Sequence, residues 1–224
     1  DVFRIQKDDK MTEFAIVGSG NKRTIVEFVR KKNGDIRSKK HKIKTGQPIW
    51  QAKNLCPGLV ILPPDYNEYL YYSGIVGGIY SAYSDRVEPF GMDEAWIDIT
   101  RSCGVKTLDD GVMVAHEIRR KIKKETGLTV SIGVSDNKVF SKLASDYKKP
   151  DAVTKFGPDN YARIISDIDI SQMLFVGRST KEKLHLFGIN KIKDVAVSNE
   201  TFMKGILGVN GVKLYNSACG FDSS

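Results

Sequence analysis

The stretch Val87-Glu88-Pro89-Phe90-Gly91-Met92-Asp93-Glu94-Ala95-Trp96-Ile97-Asp98-Ile99-Thr100 decides the fold. Residues 87–90 and 95–100 each carry β-formers, and 95–100 alternates apolar with polar. Gly91 stands between them, so the spacing predicts a β-hairpin. Two adjacent carboxylates, Asp93 and Glu94, fall at its turn. In a regular strand neighbouring side chains point to opposite faces. At a turn that alternation breaks, and both carboxylates can converge on one metal ion. The bland alternative is an exposed acidic turn. The apolar flanks Phe90, Met92, Trp96 and Ile97 favour a packed hairpin.

Outward from the hairpin the signals alternate. Residues 112–125 read as an amphipathic helix, with Ala115, Ile118 and Ile122 inward, basic residues outward and Gly127 at its end. Residues 128–134 (LTVSIGV) read as a strand, and Ser135 or Asp136 is expected to cap a helix over 137–149. Upstream, 47–55 reads as a short helix with Pro48 in its first turn, 59–62 as a buried strand and 66–83 as a Tyr-rich packing helix. Residues 24–29 alternate like a strand, 14–17 form a short apolar run, and 31–44 are mostly basic surface. From about residue 159 only helices are expected, with turns at Gly177, Gly188, Gly208 and Gly211. An α/β unit followed by a small helical unit is the architecture this order implies.

With 41% hydrophobic residues the chain can bury a sizeable core, and it has no apolar run long enough for a spanning helix. Three scattered cysteines, without a CxxC pair, argue for reduced thiols and a cytoplasmic location rather than a disulfide framework or zinc site. The net charge of +8 is uneven: +7 over residues 1–50, −5 over 51–110, +5 over 111–150 and +1 beyond. An acidic segment between basic ones suits a metal site that handles a polyanion, and equally an ordinary solvated surface. The histidines share no spacing, and no metal or triad role follows for them.

Two further elements can carry chemistry. In the helix over 137–149 (NKVFSKLASDYKK), Lys138, Lys142 and Lys149 fall within about 40° of one another at helical spacing. Val139, Phe140, Leu143, Ala144 and Tyr147 cover the opposite side. Such an ammonium stripe suits phosphate, although a lysine face is often merely solvated. The other element is Phe175-Val176-Gly177-Arg178-Ser179-Thr180-Lys181, a Gly turn opening a helix, echoed by Leu207-Gly208-Val209-Asn210-Gly211-Val212-Lys213. Helix N-termini offer free amides to phosphate. Two of them in series suggest paired helix–hairpin–helix motifs that hold DNA backbone without reading sequence. Ser179 stands where a second glycine is expected, and two ordinary helix junctions are the alternative.

Taken together, KTGQPIWQAKNLCPGLVILPPDY, VEPFGMDEAWIDIT, GLTVSIGVSDNKVFSKLASDYKKPDAV and LFVGRSTKEKLHLFGI follow in the order and spacing of a Y-family, or translesion, DNA polymerase, and the chain resembles that family from about residue 39 to 224. The resemblance implies an α+β fold: a polymerase palm sheet with packed helices and remnant fingers, then a small all-helical thumb with helix–hairpin–helix motifs. It divides the chain into an atypical segment (1–38), fingers remnant (39–64), palm (65–157) and thumb (158–224). It implies template-directed, error-prone addition of deoxynucleotides to a primer 3′-hydroxyl, with magnesium as cofactor and primer-template DNA and deoxynucleoside triphosphates as partners. Asp93 and Glu94 become metal-binding catalytic carboxylates, with Lys149 and Lys39 at the triphosphate. Lys142, Gly177, Arg178, Ser179, Thr180, Lys181, Gly208, Gly211 and Lys213 fall to the DNA.

Three departures qualify it. The family opens on a hydrophobic strand with Asp-x-Asp/Asn and paired aromatics, and residues 1–38 hold neither, so a replaced or frame-shifted segment is expected there. In the fingers Tyr-x-x-Arg/Lys motif, Lys39 fills the basic position but Ile36 stands where Tyr belongs. The chain stops at Ser224, near the end of the thumb, so the family's DNA-clasping domain and its sliding-clamp tail are not expected in it. The rival expectations are a non-catalytic DNA-binding remnant and a palm-fold nucleotide cyclase, and the helical tail speaks against the second.

Overall fold

A computed structural model describes residues 15–19, 23–24, 43 and 47–221, other than 58, 63 and 103. The chain separates into two compact units, residues 1–76 with 126–129, and residues 77–125 with 130–224. Among the described residues no helix is long and apolar enough to cross a membrane. Cys56 and Cys219 are free thiols.

In the first unit, strand β1 (Ala15–Ser19) lies between β2 (Arg23–Thr24), antiparallel, and β3 (Val60–Leu62), parallel. The apolar run at 14–17 thus lies mostly in a strand, and of the alternating stretch 24–29 only Thr24 is among the described residues. Helix α1 (Ile49–Leu55) starts two residues later than expected. Pro48 is its N-cap, with its carbonyl accepting the amides of Gln51 and Ala52 at 3.0 and 3.1 Å. Proline lacks only an N–H that a helix start leaves unused. Ile43, Ala52 and Cys56 are buried there with Leu59 against them. Helix α2 (Tyr66–Ser81) is capped by Asp65, whose Oδ1 accepts the amides of Asn67 and Glu68 at 3.1 Å.

The second unit begins with the hairpin. Strands β4 (Val87–Pro89) and β5 (Ala95–Ile97) pair antiparallel, Val87 opposite Ile97 and Pro89 opposite Ala95. Helix α3 (Leu108–Thr126) starts one turn before the expected residue 112. A reciprocal cap explains this: Asp110 N donates to Thr107 Oγ1 at 3.2 Å, and Thr107 N donates to Asp110 Oδ2 at 2.9 Å. Then β6 (Ile132–Val134), α4 (Lys138–Tyr147) and β7 (Val153–Lys155) form a parallel β–α–β element. The cap of α4 is Asn137, not Ser135 or Asp136. Its side chain accepts from the Phe140 amide at 2.8 Å, the amide three residues on that a cap must reach. A Cβ on Gly133 would fall 1.8 Å from the Ser141 carbonyl oxygen, so only glycine lets β6 run this close to α4.

Helices α5 (Tyr161–Ile165), α6 (Arg178–Leu186), α7 (Ile192–Ala196), α8 (Glu200–Leu207) and α9 (Val209–Ala218), with a 3₁₀ turn at Ile170–Gln172, complete the unit. Their inner faces bury Ile170, Leu184, Ile192, Val195 and Met203 in one cluster with Phe140, Leu143 and Ala144 of α4. The apolar face of α4 therefore packs into the helical set as well as on β6 and β7. Gly211 is buried, and a Cβ there would fall 1.9 Å from the Met203 carbonyl oxygen. It serves the approach of α8 to α9, and its amide is bonded to the Gly208 carbonyl at 3.0 Å, so it offers no free donor to DNA.

Candidate active site

The hairpin turn is closed by Phe90 N and Gly91 N, which donate to the Glu94 carbonyl at 2.9 and 3.3 Å. Asp93 is exposed at its tip and Glu94 is half-buried. Two side chains of the hairpin reach the start of α4. Trp96, against Phe90 with ring centroids 4.7 Å apart, donates its indole N–H to the Lys138 carbonyl at 3.1 Å. Glu88 accepts from Lys138 Nζ at 2.6 Å. These bonds fix the turn across the polar face of the helix.

One turn further along α4, Lys142 Nζ donates to Glu94 Oε1 at 2.9 Å and to Asp146 Oδ2 at 2.9 Å. Just past the helix end, Lys149 Nζ donates to the other oxygen of Asp146. The acidic turn and the ammonium row thus meet through the Glu94–Lys142 bond, a contact that helical spacing alone does not give. Burial works against the Lys142 ammonium, but the hydrogen bonds from it to Asp146 and Glu94 prevail and hold its pKa above the usual lysine value. Asp146 is the mirror case: burial opposes its charge, and Lys149 and Lys142 overcome that and lower its pKa. On α2, Tyr80 has its phenol pKa raised, first by burial and then by the charge of Asp93.

Asp146 and Tyr80 were not legible as site residues. The signal for Asp146 was present: an acid four residues after one lysine and three before another is a helical ion-pair spacing. Lys39 lies outside the described residues. Among the described residues no three His, Cys, Asp or Glu side chains gather as a metal site, so Asp93 and Glu94 stand as a pair.

A groove of about 430 Å³ runs from Lys142 and Asp146 to the segment 172–177 that leads into α6. Gly177 is the N-cap of α6, with no side-chain cap bond. Arg178 is almost fully exposed and bonds Glu182 at 2.8 Å, Ser179 is exposed and Thr180 half-buried. Lys181 is held by Asp169 at 2.9 and 3.1 Å. Ser179 is an ordinary residue of the first helical turn. The glycine-type conformation belongs to Phe175, with φ 65°. Gly208, with φ 63°, separates α8 from α9, and Lys213 is exposed on α9.

Known structures share this architecture. DinB from Sulfolobus solfataricus superposes with a TM-score of 0.76 at 24% identity, over 92% of this chain and 59% of that one. A Y-family DNA polymerase chimera of Dbh and Dpo4 superposes at 0.78 and 23% identity, over 94% and 60%. The class is thereby defined: an α+β fold of the Y-family polymerase type. More narrowly, the chain belongs to the impB/mucB/samB family, whose model matches residues 6–146. Among its relatives, DNA polymerase IV of Acetivibrio thermocellus is 44% identical over 84% of this chain and 46% of the relative, and DNA polymerase IV 1 of Bacillus subtilis is 37% identical over 80% and 42%. The chain spans about half the length of these curated relatives. The family match starts at residue 6, which corrects the expectation that the likeness begins at residue 39. Strand β1 reads AIVGS, without a carboxylate.

Proposed function

We propose that this chain forms the catalytic core of a template-directed, error-prone DNA polymerase, which adds deoxynucleotides to a primer 3′-hydroxyl. The single observation that carries this reading is the Lys142 bridge, which brings the hairpin carboxylate Glu94 and the lysine face of α4 into one site. Fingers remnant (39–64), palm (65–157) and thumb (158–224) are the parts the reading assigns.

Asp93 and Glu94 are hard oxygen donors at an accessible turn, which fits magnesium. They would hold it with Glu94 nearest the primer end, and the bound ion would supply activation of the attacking hydroxyl and charge neutralisation at the phosphates. Lys149 is a point charge on a flexible stem, and it neutralises the triphosphate. Lys39 would assist from the fingers. Lys142 keeps Glu94 neutralised until substrate arrives. Gly177 to Lys181, with Gly208 and Lys213, hold duplex backbone, where contacts position the strand without reading it. Were Asp93 and Glu94 to act without a further carboxylate, the chemistry would be slower by on the order of a thousandfold.

The test is magnesium-dependent primer extension by this chain, beside the Asp93→Ala, Glu94→Ala variant. We expect slow extension that the double variant loses by about a thousandfold or more, with primer-template binding retained. Equal extension by both, or tight DNA binding by the unaltered chain with no extension at any magnesium concentration, overturns the catalytic reading.

A further inference from the structure

We propose that Asp146 is a positioning residue that sets where both ammonium groups of the site stand, and that it lowers the cost of freeing Glu94 for a divalent cation. The proposal rests on the polymerase reading above and deepens it. Each oxygen of Asp146 is used by a different lysine: Oδ2 by Lys142 at 2.9 Å, Oδ1 by Lys149. The carboxylate therefore ties a lysine in the middle of α4 to one beyond its end.

Lys142 has two acceptors at the same distance, 2.9 Å to Glu94 and 2.9 Å to Asp146. Its side chain is only 19% exposed, so an ammonium displaced from Glu94 needs another anion close by. Asp146 is that anion, already in contact. A cation arriving at Glu94 displaces Lys142 onto a bond that exists, not into an apolar wall. The second effect concerns Lys149, which is half exposed on a long stem. Held by Asp146, it is ordered before a triphosphate reaches it, and less rotamer freedom is lost on binding.

A merely structural role makes a different forecast. A helix-surface ion pair contributes little to stability. Its removal would then leave metal and nucleotide binding untouched.

The experiment uses the whole chain and reads binding without turnover. Mn²⁺ affinity is measured by electron paramagnetic resonance. Deoxynucleotide affinity is measured by anisotropy of a fluorescent deoxynucleoside triphosphate with Ca²⁺ in place of magnesium. We expect Asp146→Asn to weaken nucleotide binding by about tenfold, the loss of one charge-assisted hydrogen bond, and to weaken Mn²⁺ binding as well. Adding Lys142→Met to Asp146→Asn restores Mn²⁺ affinity and leaves nucleotide binding weak. Asp146→Glu, which keeps the charge, recovers both in part, and it serves as the comparison if Asp146→Asn folds poorly. If the unaltered chain binds both ligands and Asp146→Asn binds them equally well, the Asp146 proposal is overturned and the polymerase reading stands. If a folded Asp146→Glu gains nothing over Asp146→Asn, it is likewise overturned. If the unaltered chain binds neither ligand, it is the polymerase reading that fails.

Discussion

Phe175 and Gly208 both have a positive φ, 65° and 63°, although one carries an aromatic ring and the other no side chain. This conformation costs an L-residue about 1–2 kcal/mol, while glycine costs about 0.5–1 kcal/mol in chain entropy. The Phe175 ring is 85% exposed and returns little by burial. We expect Phe175→Gly to stabilise the chain by roughly 0.5–1 kcal/mol in urea denaturation. A loss of stability would mean that the ring makes a contact worth more than its backbone strain.

Gly133 tests the opposite case. Any β-carbon there collides with the Ser141 carbonyl oxygen, a backbone atom that cannot turn aside. Gly133→Ala should destabilise the fold by about 3 kcal/mol or more, read as a lower denaturation midpoint. It should also impair metal binding, because α4 would have to shift under Lys142. A variant with wild-type stability would show that β6 and α4 stand further apart.

Asp98 offers a pH test. Hydrogen bonds from the Thr100 side chain and amide, and then from the Arg86 guanidinium, hold its pKa at about 2. The unfolded value is about 3.9. A depressed carboxyl stabilises fully above the unfolded value and loses that contribution as the pH falls through the folded one. The base of the hairpin should thus begin to weaken below about pH 4, with the loss complete only below about pH 2. Carboxyl titration by NMR reads this directly. Thr100→Ala should move the Asp98 midpoint upward, and an unmoved midpoint would assign the shift elsewhere.

Arg178 separates backbone grip from fold. Its side chain is 92% exposed, and its partner Glu182 is one turn along the same helix. On the proposed reading, Arg178→Ala should weaken duplex binding equally for unrelated sequences and flatten the salt dependence by about one unit of slope. Thermal stability should not change. Sequence-dependent effects, or none, would remove the start of α6 from the DNA path.

What could be read from residue order was whatever local spacing encodes. The hairpin followed from alternation around Gly91, and the common face of Lys138, Lys142 and Lys149 from helical angles, whereas the meeting of Glu94 with that face is a tertiary contact. Three capping residues in a row, Ser135-Asp136-Asn137, defeated the choice of cap, because only the position of the Phe140 amide decides it. Strand β7 was missed since three residues carry no period. The glycine-like turn at Phe175 was hidden because a backbone angle leaves no trace in a bulky residue type. Asp146 stood alone in a basic helix, and its value appeared only once both lysines were seen on its two oxygens.

The cluster that joins Phe140, Leu143 and Ala144 to the terminal helices has a practical corollary for dissecting this molecule. A fragment ending near residue 157 would strip the inner flank of the lysine helix and leave those three side chains facing water. Such a piece would lose the ammonium row together with its support, so the chemistry cannot be carved away from the helices that follow it.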